Sequence, residues 1–189
     1  GQIICRGGGL AISELVFVDC ITSIIKPKNI FVIGNSFGWT TLALGLMCPT
    51  SRIVAIDICS RPEEARGIKE TNKLGEQISA EIRAIKAKSP EDVTTVITEN
   101  FEGGIDLVLI DGGHTPQQQT KDFLVCKELA NKQCVYLFHD VINFQMVKSF
   151  VEIASENNHL ISSLLFRTPS GMGISYPKEY FEDLSDTVN

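Results

Sequence analysis

A chain of 189 residues, 43% hydrophobic and 21% charged, has the apolar content to bury the core of one domain and does not have a disordered composition. Its formal charge of −6 and pI near 5.1 argue against a nucleic-acid or anionic-membrane footprint, and no apolar run reaches the ~20 residues of a membrane span. The start at Gly1-Gln2 has no basic segment or signal-peptide core, and the missing Met suggests an expression scar or an excised domain. The six cysteines, at 5, 20, 48, 59, 126 and 134, make no CxxC pair. They are expected to be buried, reduced thiols of a cytoplasmic protein, with neither a disulfide scaffold nor a zinc site.

In chain order, "RGGGLA" (6–11) reads as a flexible entry. "ISELVFVDCITSII" (12–25) has the apolar spacing of a helix, stopped by Lys26-Pro27-Lys28. "NIFVIG" (29–34) reads as a buried strand, and "WTTLALGLM" (39–47) as the helix after a glycine turn. A second strand, "SRIVAID" (51–57), ends in Asp57. Ser60-Arg61-Pro62-Glu63 and Thr115-Pro116-Gln117-Gln118 read as capping boxes. Ser89-Pro90-Glu91-Asp92 is a similar start with proline at the first helical position. The most basic stretch, 61–88, carries seven Lys/Arg against five Glu and reads as solvated helix surface.

Three further strands are expected at "EIRAIKA" (81–87), "IDLVLID" (105–111) and "QCVYLFHD" (133–140), with a helix at "NFQMVKSFVEIA" (143–154). "LISSLLFR" (160–167) and "GMGISYP" (171–177) read as a closing antiparallel hairpin. Such alternation predicts one doubly wound α/β domain with a seven-stranded, mostly parallel sheet. Ligands of these sheets bind at the carboxyl ends of the strands, where the glycine turn, Asp57, Ser89, Asp111 and Asp140 fall.

The turn Gly34-Asn35-Ser36-Phe37-Gly38 admits several readings. A phosphate loop needs a lysine after its last glycine, and Trp39 is there instead. The dinucleotide fingerprint needs a glycine where Ser36 stands. GxSxG also matches the nucleophile elbow of a hydrolase, with Ser36 as nucleophile, "RGGG" as oxyanion loop, and His139 or His159 as partner. An elbow normally sits in mid-sheet, however, and only 33 residues precede Gly34. The remaining reading is a nucleoside cofactor, with Asp57 accepting from ribose hydroxyls and Ser89-Pro90-Glu91 bordering the base.

"VIGNSFGWTTLAL", "AID", "SPEDV", "DLVLIDGGHTPQQQTKDF", "LFHDV" and "PSGMGI" follow one another in that order. With them the chain resembles, over about residues 7–177, the class I S-adenosylmethionine-dependent methyltransferases, in particular small-molecule O-methyltransferases such as the macrolide-sugar enzymes. Val32 stands where the family commonly has an acid, and Ser36 where it has its middle glycine. The resemblance implies a Rossmann-like fold in a single domain, 1–189, with an entry and helix at 1–28 and a cofactor-binding core at 29–177. It implies that Ile33, Gly34, Asn35, Ser36, Phe37, Gly38, Asp57, Ser89, Pro90, Glu91 and Asp111 hold S-adenosylmethionine. Methyl transfer to an oxygen of a small molecule, a sugar or secondary metabolite, is the implied activity.

An acceptor hydroxyl must lose its proton as it takes the methyl group, and a histidine is suited to remove it. The family's D-x-x-H motif falls on Asp111 and His114, and its acidic pair on His139 and Asp140. Asp111, His114 and Asp140 are therefore the expected catalytic groups. Asp111, His139 and Asp140 are the expected holders of Mg²⁺ or another divalent cation. Plainer roles stay open: Asp111-Gly112-Gly113 as a tight turn, His139 as a core histidine bonded to backbone, His159 as surface, and Phe37 and Trp39 as packing. A non-catalytic domain of a larger polypeptide also remains open.

Overall fold

The computed structural model describes residues 9–188. Cys5 and the 6–8 part of the glycine-rich entry therefore lie outside the described residues. The strands are β1 (Asn29–Ile33), β2 (Arg52–Asp57), β3 (Glu81–Lys86), β4 (Ile105–Ile110), β5 (Ala130–Phe138), β6 (Leu160–Leu165) and β7 (Met172–Pro177). They form one sheet in the order β3-β2-β1-β4-β5-β7-β6, parallel except for β7, which lies antiparallel between β5 and β6. The helices are α1 (Ile12–Ile25), α2 (Trp39–Met47), α3 (Pro62–Gly75), α4 (Val93–Asn100), α5 (Pro116–Glu128), α6 (Val147–Glu156) and α7 (Phe181–Val188).

Successive strand residues point to opposite faces, and here both faces are covered, which is why the strands read as unbroken apolar runs. Phe31, Ile33, Val54, Ile56, Val108 and Ile110 join Val96, Phe123 and Phe150 of α4, α5 and α6 in one core. Ile30, Val32, Ile53, Ala55, Leu107 and Leu109 join Val18, Leu44 and Leu184 of α1, α2 and α7 in the other. The last helix, α7, has no counterpart in the sequence reading. Its single buried residue, Leu184, is too weak a pattern to announce a helix.

Register decides what lies at the carboxyl rim. Ile33 is level with Ile56 on one side and Ile110 on the other, and Ile110 is level with Phe138. One residue further on, Gly34, Asp57, Asp111 and His139 therefore form a row across four neighbouring strand ends. The ladder continues into them: Gly34 N donates to Ile56 O (2.9 Å), Asp111 N to Ile33 O (2.8 Å) and His139 N to Ile110 O (3.0 Å). Gly34 has φ of +103°, and a Cβ there would lie 2.0 Å from the Asp111 carbonyl oxygen, so only glycine allows this approach.

Four helix starts differ from expectation in their first residue or their cap. Before α3 the reciprocal acid is Glu64, accepting from Arg61 N (3.0 Å) and the Ser60 hydroxyl (3.0 Å); Glu63 has no such role because the helix begins one residue later than read. Pro90 is not the first residue of α4, which starts at Val93 behind Asp92; the Asp92 carboxylate accepts from Lys88 N (2.8 Å). Thr115 caps α5 through Gln118 N (3.2 Å), but the Gln118 side chain turns to Ser89 and Asp122 instead of closing a box. The sixth helix starts at Val147, four residues later than expected, because Asp140 and Gln145 take left-handed φ values of 58° and 56°.

Gly67, inside α3, carries a constraint that helix propensity hides. A Cβ at Gly67 would sit 2.1 Å from the backbone oxygen of Ser36. On propensity alone Gly67→Ala would stabilise the helix by about 0.8–1 kcal/mol. The contact with Ser36 reverses that sign: the variant is expected to have a lower urea midpoint at unchanged m-value, measured by circular dichroism.

Candidate active site

The rim opens into a cleft of about 1370 Å³, larger than the roughly 300–1,000 Å³ of ordinary small-molecule pockets. The turn at 34–38 forms one wall. Asn35 is buried beneath it, its side chain donating to Thr71 (3.1 Å) and accepting from Thr41 (2.9 Å), which ties the turn to α3 and α2. Ser36 has φ of 45°, and its N–H donates to Asp57 Oδ2 (2.7 Å). Asp57 Oδ1 accepts from Cys59 N (2.7 Å), so each oxygen takes one backbone donor and keeps a second lone pair for a ligand.

At the β4–β5 end of the rim the groups are charged. His139 is buried, with Nδ1 2.9 Å from Asp111 Oδ1 and 3.5 Å from Asp140 Oδ2. Its Nε2 lies 3.1 Å from Glu14 Oε2, on α1. Glu14 is itself 1% exposed and accepts from Ala11 N (2.8 Å), Ser170 N (2.9 Å) and the Ser170 hydroxyl. Burial raises the Glu14 carboxyl, but the donors from His139, Ser170 and Ala11 outweigh it and hold it below its ordinary range. An ionised Glu14 fully occupied by donors requires the Nε2 of His139 to carry hydrogen. Burial lowers the His139 pKa, yet the contacts with Asp111, Asp140 and Glu14 push it up to about 12. Asp140 is lowered in turn, chiefly by His139 against the effect of burial. The expectation that His139 bonds to backbone is thus corrected: its ring meets carboxylates.

His114 stacks on Phe144 with ring centroids 4.1 Å apart. Its Nε2 is buried without a hydrogen bond, 3.4 Å from Asp140 Oδ2 and 3.6 Å from Asp111 Oδ1. Asp122 is the second buried side chain with an unpaired atom among the described residues. Its Oδ1 accepts from the Ser89 hydroxyl and from Gln118 Nε2 (2.7 Å), and its Oδ2 has no partner. Burial raises this carboxyl against those two donors.

Of the residues singled out in the sequence, Ile33, Gly34, Asn35, Ser36, Phe37, Asp57, Ser89, Asp111, His114, His139 and Asp140 line this one cleft. Gly38 lies behind it at the start of α2, where a Cβ would be 1.9 Å from Thr71 Oγ1. Pro90 and Glu91 do not line it; Glu91 is exposed and pairs with Lys88. Phe37 and Trp39 are exposed at 47% and 39%, so neither is a core packing residue. His159 is exposed between α6 and β6. The five described cysteines are free; Cys48, Cys126 and Cys134 are buried, whereas Cys20 is exposed, contrary to expectation. Glu14, Asp122, Gln118 and Ser170 are the cleft residues the sequence reading missed. Gln118 and Asp122, four apart on one helix, were the only pair with a readable spacing.

A methyltransferase-domain family model matches residues 31–141, more than half of the chain, and the chain belongs to that family. Among curated proteins, none matches the sequence. Several solved structures share the fold. Cofactor-bound Rv0187 from MTB superposes with a TM-score of 0.75 at 14% identity, over 94% of this chain and 83% of that one. The SAH-bound Podospora anserina methyltransferase PaMTH1 gives 0.72 at 16% identity, over 89% and 79%. An O-methyltransferase from Bacillus cereus in complex with SAH gives 0.71 at 17% identity, over 90% and 83%. The hydrolase expectation finds no support here. His114 and His139 both face Asp111 and Asp140, and Ser36 contributes a backbone N–H to Asp57.

Glu14 and His139 make stability pH-dependent in two directions. His139, raised from 6.5 to about 12, contributes fully below pH 6.5 and loses its contribution as the pH climbs towards 12. Glu14 and Asp140, both lowered, contribute above ordinary carboxylate pKa values and lose it on acidification. The metal-free protein is therefore expected to be most stable in urea between about pH 5 and 6.5. Glu14→Gln is expected to cost about 1–3 kcal/mol in the same measurement, because the buried donors of Ala11, Ser170 and His139 lose their charged acceptor.

Proposed function

We propose that this methyltransferase uses S-adenosylmethionine and places the methyl group on an oxygen of a small molecule, a sugar or secondary metabolite. The observation that carries the reading is the row Gly34, Asp57, Asp111 and His139, on four adjacent strand ends of one acid-lined cleft. When bound, the cofactor supplies an electrophilic methyl group on a cationic sulfonium. The turn at 34–38 has its backbone open to the cofactor's amino-acid end, and Asp57 offers acceptors to two ribose hydroxyls. The net acidity of the cleft favours the sulfonium and disfavours a polyanion such as nucleic acid.

His114 is the base in this reading. Its ring stands at the cleft wall, and Asp111 and Asp140 balance the charge it acquires when it takes the acceptor's proton. Ile12, Phe37 and Ile58 line the same cleft and stay exposed, which suits an acceptor with a nonpolar face. The free thiols agree with a cytoplasmic setting.

The residues present also fit a divalent cation. Asp111, His139 and Asp140 each bring one ligand atom within 4.8 Å of the others. Glu14 holds the Nε2 hydrogen of His139 and turns Nδ1 towards the two aspartates, as a carboxylate behind a metal-bound histidine does. Such a cation would lower the pKa of the acceptor hydroxyl. One imidazole among the ligands favours Mn²⁺ or a similar ion over Mg²⁺. A proton must leave His139 first, so cation affinity is expected to rise with pH.

Calorimetric titration with S-adenosylmethionine and S-adenosylhomocysteine, with and without Mn²⁺ or Mg²⁺, tests the reading. Saturable binding is expected, weakened at least tenfold in Asp57→Ala by loss of charged hydrogen bonds worth about 1.5–3 kcal/mol. Absence of binding at millimolar ligand would overturn it. Binding without turnover of any hydroxylated acceptor would favour a non-catalytic domain.

A further inference from the structure

The two edges of the sheet are built differently. At one end, β3 reads Glu-Ile-Arg-Ala-Ile-Lys, and its exposed Glu81, Arg83 and Lys86 place charge along the edge strand. Charged edge strands resist pairing with another chain. At the other end, β6 reads Leu-Ile-Ser-Ser-Leu-Leu, with no charge, no proline and no glycine. It pairs with β7 residue by residue from Leu160 to Leu165, without a bulge. Among the described residues no strand flanks its outer side. In an antiparallel strand alternate residues turn N–H and C=O away from the neighbour, so β6 presents a regular row of these groups outward.

The side chains of β6 follow the same pattern. Leu160 and Leu164 pack into the core shared with α6, and Ile161 and Leu165 into the core shared with α7. Burial stops at the edge: Leu160 is buried, whereas the five residues after it are only half-buried. Phe166, immediately beyond, is 77% exposed. An uncharged, unbulged apolar edge of this kind is a template for a further strand.

We infer that β6 is a dimerisation edge, which pairs antiparallel with β6 of a second copy of this chain about a twofold axis normal to the sheet. Three features fit a second copy. Such an axis keeps each face of the sheet continuous, so opposing residues come from the same face, and the two central registers set either Ser162 or Ser163 opposite itself. Both are small and can hydrogen-bond across the pair. Antiparallel pairing also brings the end of β6 that precedes Arg167 to the end that follows Glu156. Both residues are exposed, so opposite charges meet at each end of the pair. Finally, β6 runs parallel to β5, so the axis points the two clefts in opposite directions and neither copy blocks the other.

Sedimentation velocity and light scattering on the full chain at micromolar concentration are expected to give twice the 20.8 kDa of one chain. Ser163→Lys and Ser163→Glu each set like charges opposite or diagonal to one another across the axis, within about 8 Å. Each variant alone is expected to be a folded monomer by mass and circular dichroism. A 1:1 mixture is expected to recover the dimer, because Lys then faces Glu. A monomeric wild type would overturn the inference whether or not either variant folds. So would a dimer that both folded variants leave intact, or folded monomeric variants whose mixture stays monomeric. Hydrogen exchange of the wild type is independent of the variants. Amides within 160–165 are expected to gain protection between samples below and above the dimerisation midpoint, and equal protection in both would overturn the assignment.

Discussion

The backbone ladder joining β1 to β4 keeps its register to the last residue, and the rest of the site inherits its position from that fact. Because Ile33, Ile56, Ile110 and Phe138 are level, the chain leaves four strands at one height. The approach of Gly34 to the Asp111 carbonyl brings the β1 and β4 exits together at the point where the strand order reverses, the place where such sheets hold ligands. A side chain at position 34 would push those exits apart and open the row at its centre. The turn beyond is supported from outside the sheet, by Asn35 bridging Thr41 and Thr71 and by the bare backbone of Gly67.

Around this rigid floor the polar groups fall into two environments. Asp57 keeps one backbone donor on each oxygen and remains open to a ligand. At the β4–β5 side, by contrast, three carboxylates converge on His139, and its ring carries the charge that balances them in the absence of a cation. Glu14 is the pivot: its four donors leave it only an acceptor, which fixes the His139 tautomer and the direction of Nδ1. The same geometry serves a protonated histidine or a metal-bound one. A cation bound there would therefore compete with the proton for a single nitrogen.

Much of the architecture was legible because glycine and proline punctuate the chain. The boundaries of α1 and α2 agree with the sequence reading to the residue, one stopped by Lys26-Pro27 and the other started by Gly38. Strand-end residues such as Asp57, Asp111 and Asp140 were legible as neighbours because parallel sheets align their exits. Glu14 was not, since its reciprocal cap lacks the hydroxyl that marks such starts: Ala11 stands there. Asp122 carried no signal of its own, since only the packing of α5 on the sheet decides that it is buried. Gly67 was equally silent, because the neighbour that forbids a side chain there is the Ser36 carbonyl, 31 residues earlier in the chain. Local chemistry specified the elements, and long-range packing specified which side chains meet.

Glu14 meets His139 and Ser170 across sequence separations of 125 and 156 residues. During synthesis the first helix emerges long before either partner, so its acid stays in water until β5 and then the closing hairpin have left the ribosome. The parallel strands can assemble ahead of it, but the wall of the cleft beside His139 cannot. Long-range contacts of this kind form late and slowly, and a nascent chain waiting for them exposes its unfinished surfaces. Ser170, translated 156 residues after Glu14, thus completes the charged end of the site, and a chain released before Ser170 would carry an unfinished one.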